Sequence, residues 1–134
     1  MPDGQILQIG TQRFRCAEYL FNPKMDGSEY AGIHVLTYQS ILASDVDIRK
    51  SLYENIILSG GTTMLKNFPE RLEREMKFLS PAAINPKVYA SPERKYMVWC
   101  GGATAANISV FTEKWIEKKE YEEVGKEIVH LKCI

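Results

Sequence analysis

The stretch Asn55-Ile-Ile-Leu-Ser-Gly-Gly-Thr-Thr-Met64, taken with the segment Asn67 to Leu79 and the return Lys87-Val-Tyr-Ala90, decides the fold of this chain. Ile56-Ile57-Leu58 is a short β-branched-rich run, the pattern of a buried parallel strand, and Ser59-Gly60-Gly61 ends it. The next segment places Phe68, Leu72, Met76 and Leu79 on one apolar helical face, with Glu70, Arg71, Glu73, Arg74, Glu75 and Lys77 opposite. Asn67 and Glu70 have the spacing of a capping box, while Glu70 with Arg74 and Glu73 with Lys77 have that of helical ion pairs. Ser80-Pro81 stops the helix, so Lys87 to Ala90 returns as a second strand after a right-handed crossover. The unit predicts an α/β fold with a short, mostly parallel sheet flanked by helices.

Outward from this unit the signals weaken. Gln5 to Ile9 has the pattern of a short strand entered through an Asp3-Gly4 turn, and Gln12 to Leu20 of one or two helical turns. Phe21 to Ile33, with Pro23, Asp26-Gly27 and Gly32, predicts a loop that exposes Met25 and Tyr30. Ile33, Leu36, Tyr38, Ile41 and Leu42 form a helical stripe. A break near Ser44 precedes a second helix with an N-cap at Ser44-Asp45 and Asp47 in its first turn, where the helix dipole favours a negative charge. Capping accounts for both aspartates without catalysis or a metal. Met97 to Asn107 predicts a helix rich in small residues; mid-helix Gly101 and Gly102 each cost roughly 1 kcal/mol against alanine, which points to a close backbone or ligand neighbour. Phe111, Trp115 and Ile116 make an aromatic patch, and Glu117 to Glu127 a solvated surface helix.

At 134 residues, 45% hydrophobic and 25% charged, the chain fits one globular domain with enough apolar mass for a core. Seventeen basic and seventeen acidic residues cancel, which leaves no broad field for nucleic acid or an acidic membrane surface. No run approaches the roughly 20 apolar residues of a membrane span, and Met1-Pro-Asp-Gly-Gln-Ile lacks the features of a signal peptide. Cys16, Cys100 and Cys133 are odd in number and widely spaced, without C-x-x-C pairing, so reduced cytosolic thiols and no zinc site are expected. His34 and His130 have no nucleophile or carboxylate partner nearby in sequence and are expected to be structural.

Gly60-Gly61 lets the main chain turn tightly and lets a flat ligand lie against it. It is neither a Walker A loop nor a G-x-G-x-x-G fingerprint, and a bare Gly-Gly is most simply a turn. More specific is its combination with Pro92-Glu-Arg-Lys-Tyr-Met-Val-Trp-Cys-Gly-Gly102, Arg13-Phe-Arg-Cys16, Asp45-Val-Asp-Ile-Arg-Lys50, Trp115-Ile-Glu-Lys-Lys-Glu-Tyr-Glu-Glu123 and Ile128-Val-His-Leu-Lys-Cys-Ile134. Over nearly all 134 residues the chain resembles the C-terminal third of an actin. That resemblance implies a single truncated C-terminal domain over residues 1–134, part of an actin-like, ribonuclease H-like ATPase fold.

The resemblance further implies an adenine-nucleotide site, for ATP or ADP, at Gly60, Gly61, Thr62, Met64 and Lys95. Met64 would give a polarizable contact to the base, and Lys95 would lay its stem and charge beside the ring. Leu65 stands where actins usually have a tyrosine, so this wall packs without stacking. In actins the phosphate-holding hairpins and water-orienting side chains lie on segments that precede those matched here, so no catalytic residue carries over, magnesium is expected only through the nucleotide, and the isolated chain is not expected to hydrolyse ATP. The family's partner cleft corresponds to Cys100, Thr104, Ala105, Ile108 and Lys114; Ile108 is kept, whereas Cys100, Thr104 and Ala105 stand where actins carry larger aliphatics and Lys114 where they carry methionine. Its inter-strand filament loop corresponds to Lys24-Met25-Asp26-Gly27, more polar than the family pattern. The function so implied is a cytoskeletal, structural protein of the cytoplasm that contacts actin-like subunits and actin-binding proteins. Its alternatives are a non-polymerising interaction module, or a gene fragment whose open strand edges work against independent folding.

Overall fold

The computed structural model describes residues 2–133. Eight α-helices and two strands follow one another among them: α1 Gln12–Glu18, α2 Ile33–Leu42, α3 Val46–Glu54, β1 Ile56–Ile57, α4 Phe68–Leu79, β2 Val88–Tyr89, α5 Met97–Ala106, α6 Ser109–Thr112, α7 Lys118–Val124 and α8 Ile128–Lys132. Short 3-10 turns cover Pro23–Asp26, Gly61–Met64 and Gly125–Glu127. β1 and β2 pair in parallel, Ile56 opposite Val88 and Ile57 opposite Tyr89, with α4 as the crossover. The expected α/β unit is therefore present.

One core organises residues 20–90. α4 contributes Phe68, Leu72 and Met76, one helical turn apart, and these meet Phe21, Ile41, Tyr53 and Leu58. α4 packs on α2 and on β2, and α2 on α3. The chain can cross this closely only because position 32 is glycine: a Cβ there would lie 2.0 Å from the Phe21 carbonyl oxygen. That crossing is held by the Ile33 N–H, which donates to the Leu20 carbonyl at 2.9 Å.

Tyr53 is only 2% exposed, and its hydroxyl has no hydrogen-bond partner among the described residues. Burial, with a smaller contribution from neighbouring Tyr38, pushes its phenol pKa up against the opposing charge of Arg49. An unsatisfied buried hydroxyl costs roughly 1–3 kcal/mol, whereas the ring's packing is kept by phenylalanine. Tyr53→Phe is therefore expected to leave stability unchanged or raise it by about 1 kcal/mol, read as the urea midpoint at constant slope. A loss of stability would show that the hydroxyl is satisfied in solution.

Several local expectations are corrected. Residues 5–9 form no strand: the Asp3 carboxylate takes the Gln5 N–H at 3.1 Å in the expected turn, but the sheet among the described residues holds β1 and β2 alone. An extended run with no neighbouring strand has nothing to complete its ladder. Asp45 occupies the N-cap of α3 without a side-chain cap bond. The Arg49 Nε instead donates to the Ser44 carbonyl at 2.9 Å, tying the break between α2 and α3.

The capping box at Asn67 is also absent. Asn67 adopts a left-handed conformation, φ 61°, and its side chain makes no cap bond; Pro69 has no N–H to donate to it. Neither Glu70–Arg74 nor Glu73–Lys77 forms. Arg71 pairs with Glu18 on α1, through 2.8 and 2.9 Å bonds, and with Glu75 at 2.7 Å, while Glu73 accepts the Val88 N–H at 3.2 Å and covers that donor of β2. Arg71 thus combines a helical i,i+4 partner, Glu75, with a tertiary one, Glu18, and the half-buried setting of that trio strengthens its pairing over the exposed alternatives.

The Arg71 guanidinium holds the Glu18 carboxyl below its ordinary pKa, chiefly by hydrogen bonding. Because the folded value is the lowered one, this pair's stabilisation is complete above about pH 4.5 and is lost as pH falls through the lowered value. Wild type should exceed Glu18→Gln in stability by about 1–2 kcal/mol at neutral pH, and the two should converge as the pH falls through the lowered value. Parallel stability curves over that range would remove Glu18 as the linked group.

The C-terminal third is more open. Gly101 and Gly102 have no close neighbour: a Cβ on either would meet open space, so the expected close approach does not occur among the described residues. Of α5–α8 only Ile128 is buried among the described residues, and Trp99 is 79% exposed. The expected Glu117–Glu127 helix stops at Val124, where Gly125 has φ 72°. Its start is capped by the Glu120 carboxylate, which accepts the Glu117 N–H at 2.9 Å and also pairs with Lys132. No described helix is long and apolar enough to cross a membrane.

Candidate functional site

β1 runs into the first glycine junction. Gly60 takes φ 92°, a conformation that side-chain-bearing residues rarely adopt, and redirects the chain into the Gly61–Met64 turn. The Thr63 hydroxyl closes this turn by donating to the Gly60 carbonyl at 2.8 Å.

The second junction, Ser91 to Tyr96, follows β2 and is clasped to the first by Arg94. The Gly60 N–H donates to the Arg94 carbonyl at 2.9 Å. In return the Arg94 Nε and Nη2 donate to the Thr63 carbonyl at 3.1 and 2.9 Å, Nε also lies 3.2 Å from the Thr63 hydroxyl, and Nη1 donates to the Ser91 carbonyl at 2.9 Å. At 9% exposure this guanidinium is a buried cation satisfied by carbonyl dipoles. It makes the two loops one rigid body.

Sequence reasoning passed over Arg94. Pro92-Glu-Arg-Lys-Tyr96 presents two adjacent cations, and nothing in their order says which turns inward. The structure turns Arg94 in and leaves Lys95 exposed, with its Nζ 4.9 Å from the centroid of the Tyr96 ring. The clasp thereby brings the Lys95 loop beside the turn that carries Met64.

Gly61, Thr62, Met64 and Lys95 are all on the surface, and Gly60 is half-buried. They form an open platform. It is flanked by a cavity of about 710 Å³ whose wall includes Leu65 and Lys66, and by one of about 630 Å³ lined by Lys95, Tyr96 and Trp99. Backbone turned outward at glycine, a thioether, and a cation over an aromatic ring together suit one face of a flat heteroaromatic ring. Among the described residues no group of three His, Cys, Asp or Glu side chains is placed to hold a metal.

The other singled-out residues lie apart from this platform. Cys100 and Thr104 sit one turn apart on α5, where the Thr104 hydroxyl donates to the Cys100 carbonyl at 2.9 Å; Ile108 and Lys114 flank α6. All four are exposed and Ala105 is partly so, which makes this an open surface. Lys24, Met25 and Asp26 form a 3-10 turn ended by Gly27 at φ 76°. Arg15 on α1 pairs with Asp26 and donates to the Met25 carbonyl at 3.3 Å, so the loop is anchored at its base. His34 stacks on Phe21, ring centroids 5.9 Å apart, and has a structural place in the core wall.

The family model described as Actin matches residues 1–134, the whole length of the chain.

Proposed function

Because the chain belongs to the actin family, we propose that it is an actin-like cytoskeletal, structural protein whose 134 residues supply the adenine side of an ATP or ADP site. In this reading the parallel pair β1–β2 is part of a ribonuclease H-like sheet. Gly60, Gly61, Thr62 and Met64 border the base and ribose, and Lys95 flanks the ring. The observation that carries the reading is the Arg94 clasp, which holds the Gly60 turn and the Lys95 loop as one surface. The residues assigned to the platform face the adenine and ribose in this reading, and none of them is assigned to the phosphates. Phosphoryl transfer needs a metal and donors around the γ-phosphate together with a residue that orients water, so we assign this chain no ATPase activity on its own and give magnesium a place only with the nucleotide.

The partners this reading implies are actin-like subunits, through the Lys24–Gly27 loop, and actin-binding proteins, through the α5–α6 surface, in the cytoplasm. Exposure of Val98, Trp99, Ile108 and Val110 favours a second reading, a non-polymerising interaction module that docks helices there. Co-sedimentation with preformed actin filaments separates the two: filament incorporation favours the first, and binding confined to filament ends or to actin-binding proteins the second.

For the nucleotide, calorimetric titration of the 134-residue chain is expected to give adenosine and ATP affinities within about tenfold of each other, since 1.4 kcal/mol of phosphate contact would separate them further. Lys95→Ala should weaken both. Much tighter, magnesium-dependent ATP binding would overturn the adenine-side assignment.

A further inference from the structure

A cavity borders the platform without sharing its residues. It lies between α1 and the start of α4, holds about 710 Å³, and falls within the size range of small-ligand sites. Its apolar surface comes from Phe14 and Ala17 on α1 and from Leu65 and Phe68, with the Phe21 ring packed 5.3 Å from that of Phe68. Arg71 lies over Phe21, 4.8 Å from the ring centroid, and is held by Glu18 and Glu75.

The charges around that aromatic surface are unbalanced. Arg13, Lys66, Arg71 and Arg74 face two carboxylates, Glu18 and Glu70. Glu18 is committed to Arg71, and among the described residues Arg74 reaches only Glu75, at 4.0 Å, a carboxylate already shared with Arg71. Arg13 and Lys66 have no ion pair or side-chain hydrogen bond among the described residues. Two uncommitted cations on opposite walls, with aromatic side chains between them, select a ligand that is flat and apolar at one end and anionic at the other.

We propose that this cavity is a binding site for a small aromatic anion, a flat ring bearing a phosphate or carboxylate, separate from the adenine platform. The ring lies among Phe14, Leu65 and Phe68. The anion is held by Arg13 and Lys66, with Arg74 beside them. The two sites meet at Leu65, which walls both, but the proposal does not depend on the nucleotide reading because Gly60, Gly61, Thr62, Met64 and Lys95 are not part of this cavity.

The test is calorimetric titration of the 134-residue chain with 2-naphthyl phosphate, 2-naphthoate, neutral 2-naphthol and inorganic phosphate. Either naphthyl anion should bind at least about tenfold tighter than 2-naphthol or phosphate alone, the factor that one charge-assisted contact contributes. The two naphthyl anions compared with each other identify the preferred anionic group. Arg13→Glu and Lys66→Glu, both at exposed positions, should each remove about tenfold of that affinity and leave adenosine binding unchanged. Leu65→Trp should fill the cavity and block the probe. Lys95→Ala should not alter it. Equal affinity for the anions and 2-naphthol, or full retention of binding in both charge-reversed variants, would overturn the proposal. The charge-reversed pair decides the matter even if Leu65→Trp fails to fold.

Discussion

Replacing Met76 by alanine is expected to cost about 2 to 5 kcal/mol, the range for truncating a fully buried long side chain. Met76 is 0% exposed, and Leu72, one turn earlier, 1%. Both belong to the single core cluster that joins α4 to Phe21, Ile41, Tyr53 and Leu58. A second core to absorb the loss does not exist among the described residues, since α5–α8 bury only Ile128. Domains of this size are stable by roughly 5–15 kcal/mol, so the truncation removes a large share of that stability. Met76→Leu keeps most of the volume and should cost under about 1.5 kcal/mol. Urea unfolding followed by circular dichroism reads both. Truncation of half-exposed Leu36 is the control, and an equal loss there would mean that the core does not govern the transition.

Replacing Arg94 by methionine should loosen the candidate site more than any other single change. Methionine approximates the stem but supplies none of the donors that now satisfy the Thr63 and Ser91 carbonyls. Hydrogen bonds from a charged donor contribute roughly 1.5–3 kcal/mol each, and because these share one side chain and its partners regain water, about 3 kcal/mol in total is expected. Lys95→Met, one residue on, should change stability by less than about 0.5 kcal/mol because Lys95 is exposed. The discriminating measurement is amide exchange. The Gly60 amide donates to the Arg94 carbonyl, so its protection should fall further in Arg94→Met than that of Ala43, which is bonded to Gln39 on the far side of the core. A uniform fall at both amides would make Arg94 an ordinary stability residue rather than the clasp between the two junctions.

Legibility in the sequence followed the range of the interactions concerned. The apolar spacing of Phe68, Leu72 and Met76 was readable because a helix needs only its own period to place them on one face. Its ion pairs were misread in part because Arg71, which also has the i,i+4 partner Glu75, answers to Glu18, 53 positions away, and no local spacing encodes that distance. The strand expected at Gln5 to Ile9 failed for the same reason, since a strand is defined by a neighbour. At the site, Gly60 was identifiable because a positive φ selects glycine, whereas Arg94 was not, because its partners are main-chain carbonyls that every residue possesses.

By itself, then, the sequence determined the strand-helix-strand unit, the break between α2 and α3, the glycine turn after β1 and the family, all of which rest on local pattern and motif. Only the tertiary structure decided that Arg94 faces inward and Lys95 outward, that Arg71 bridges α1 and α4, and that α5 presents Trp99 and its two glycines to open space. The physical reason is that backbone propensity and hydrophobic period act over a few residues. The choice of which charge to bury depends on carbonyls and carboxylates that come together only when the chain has folded.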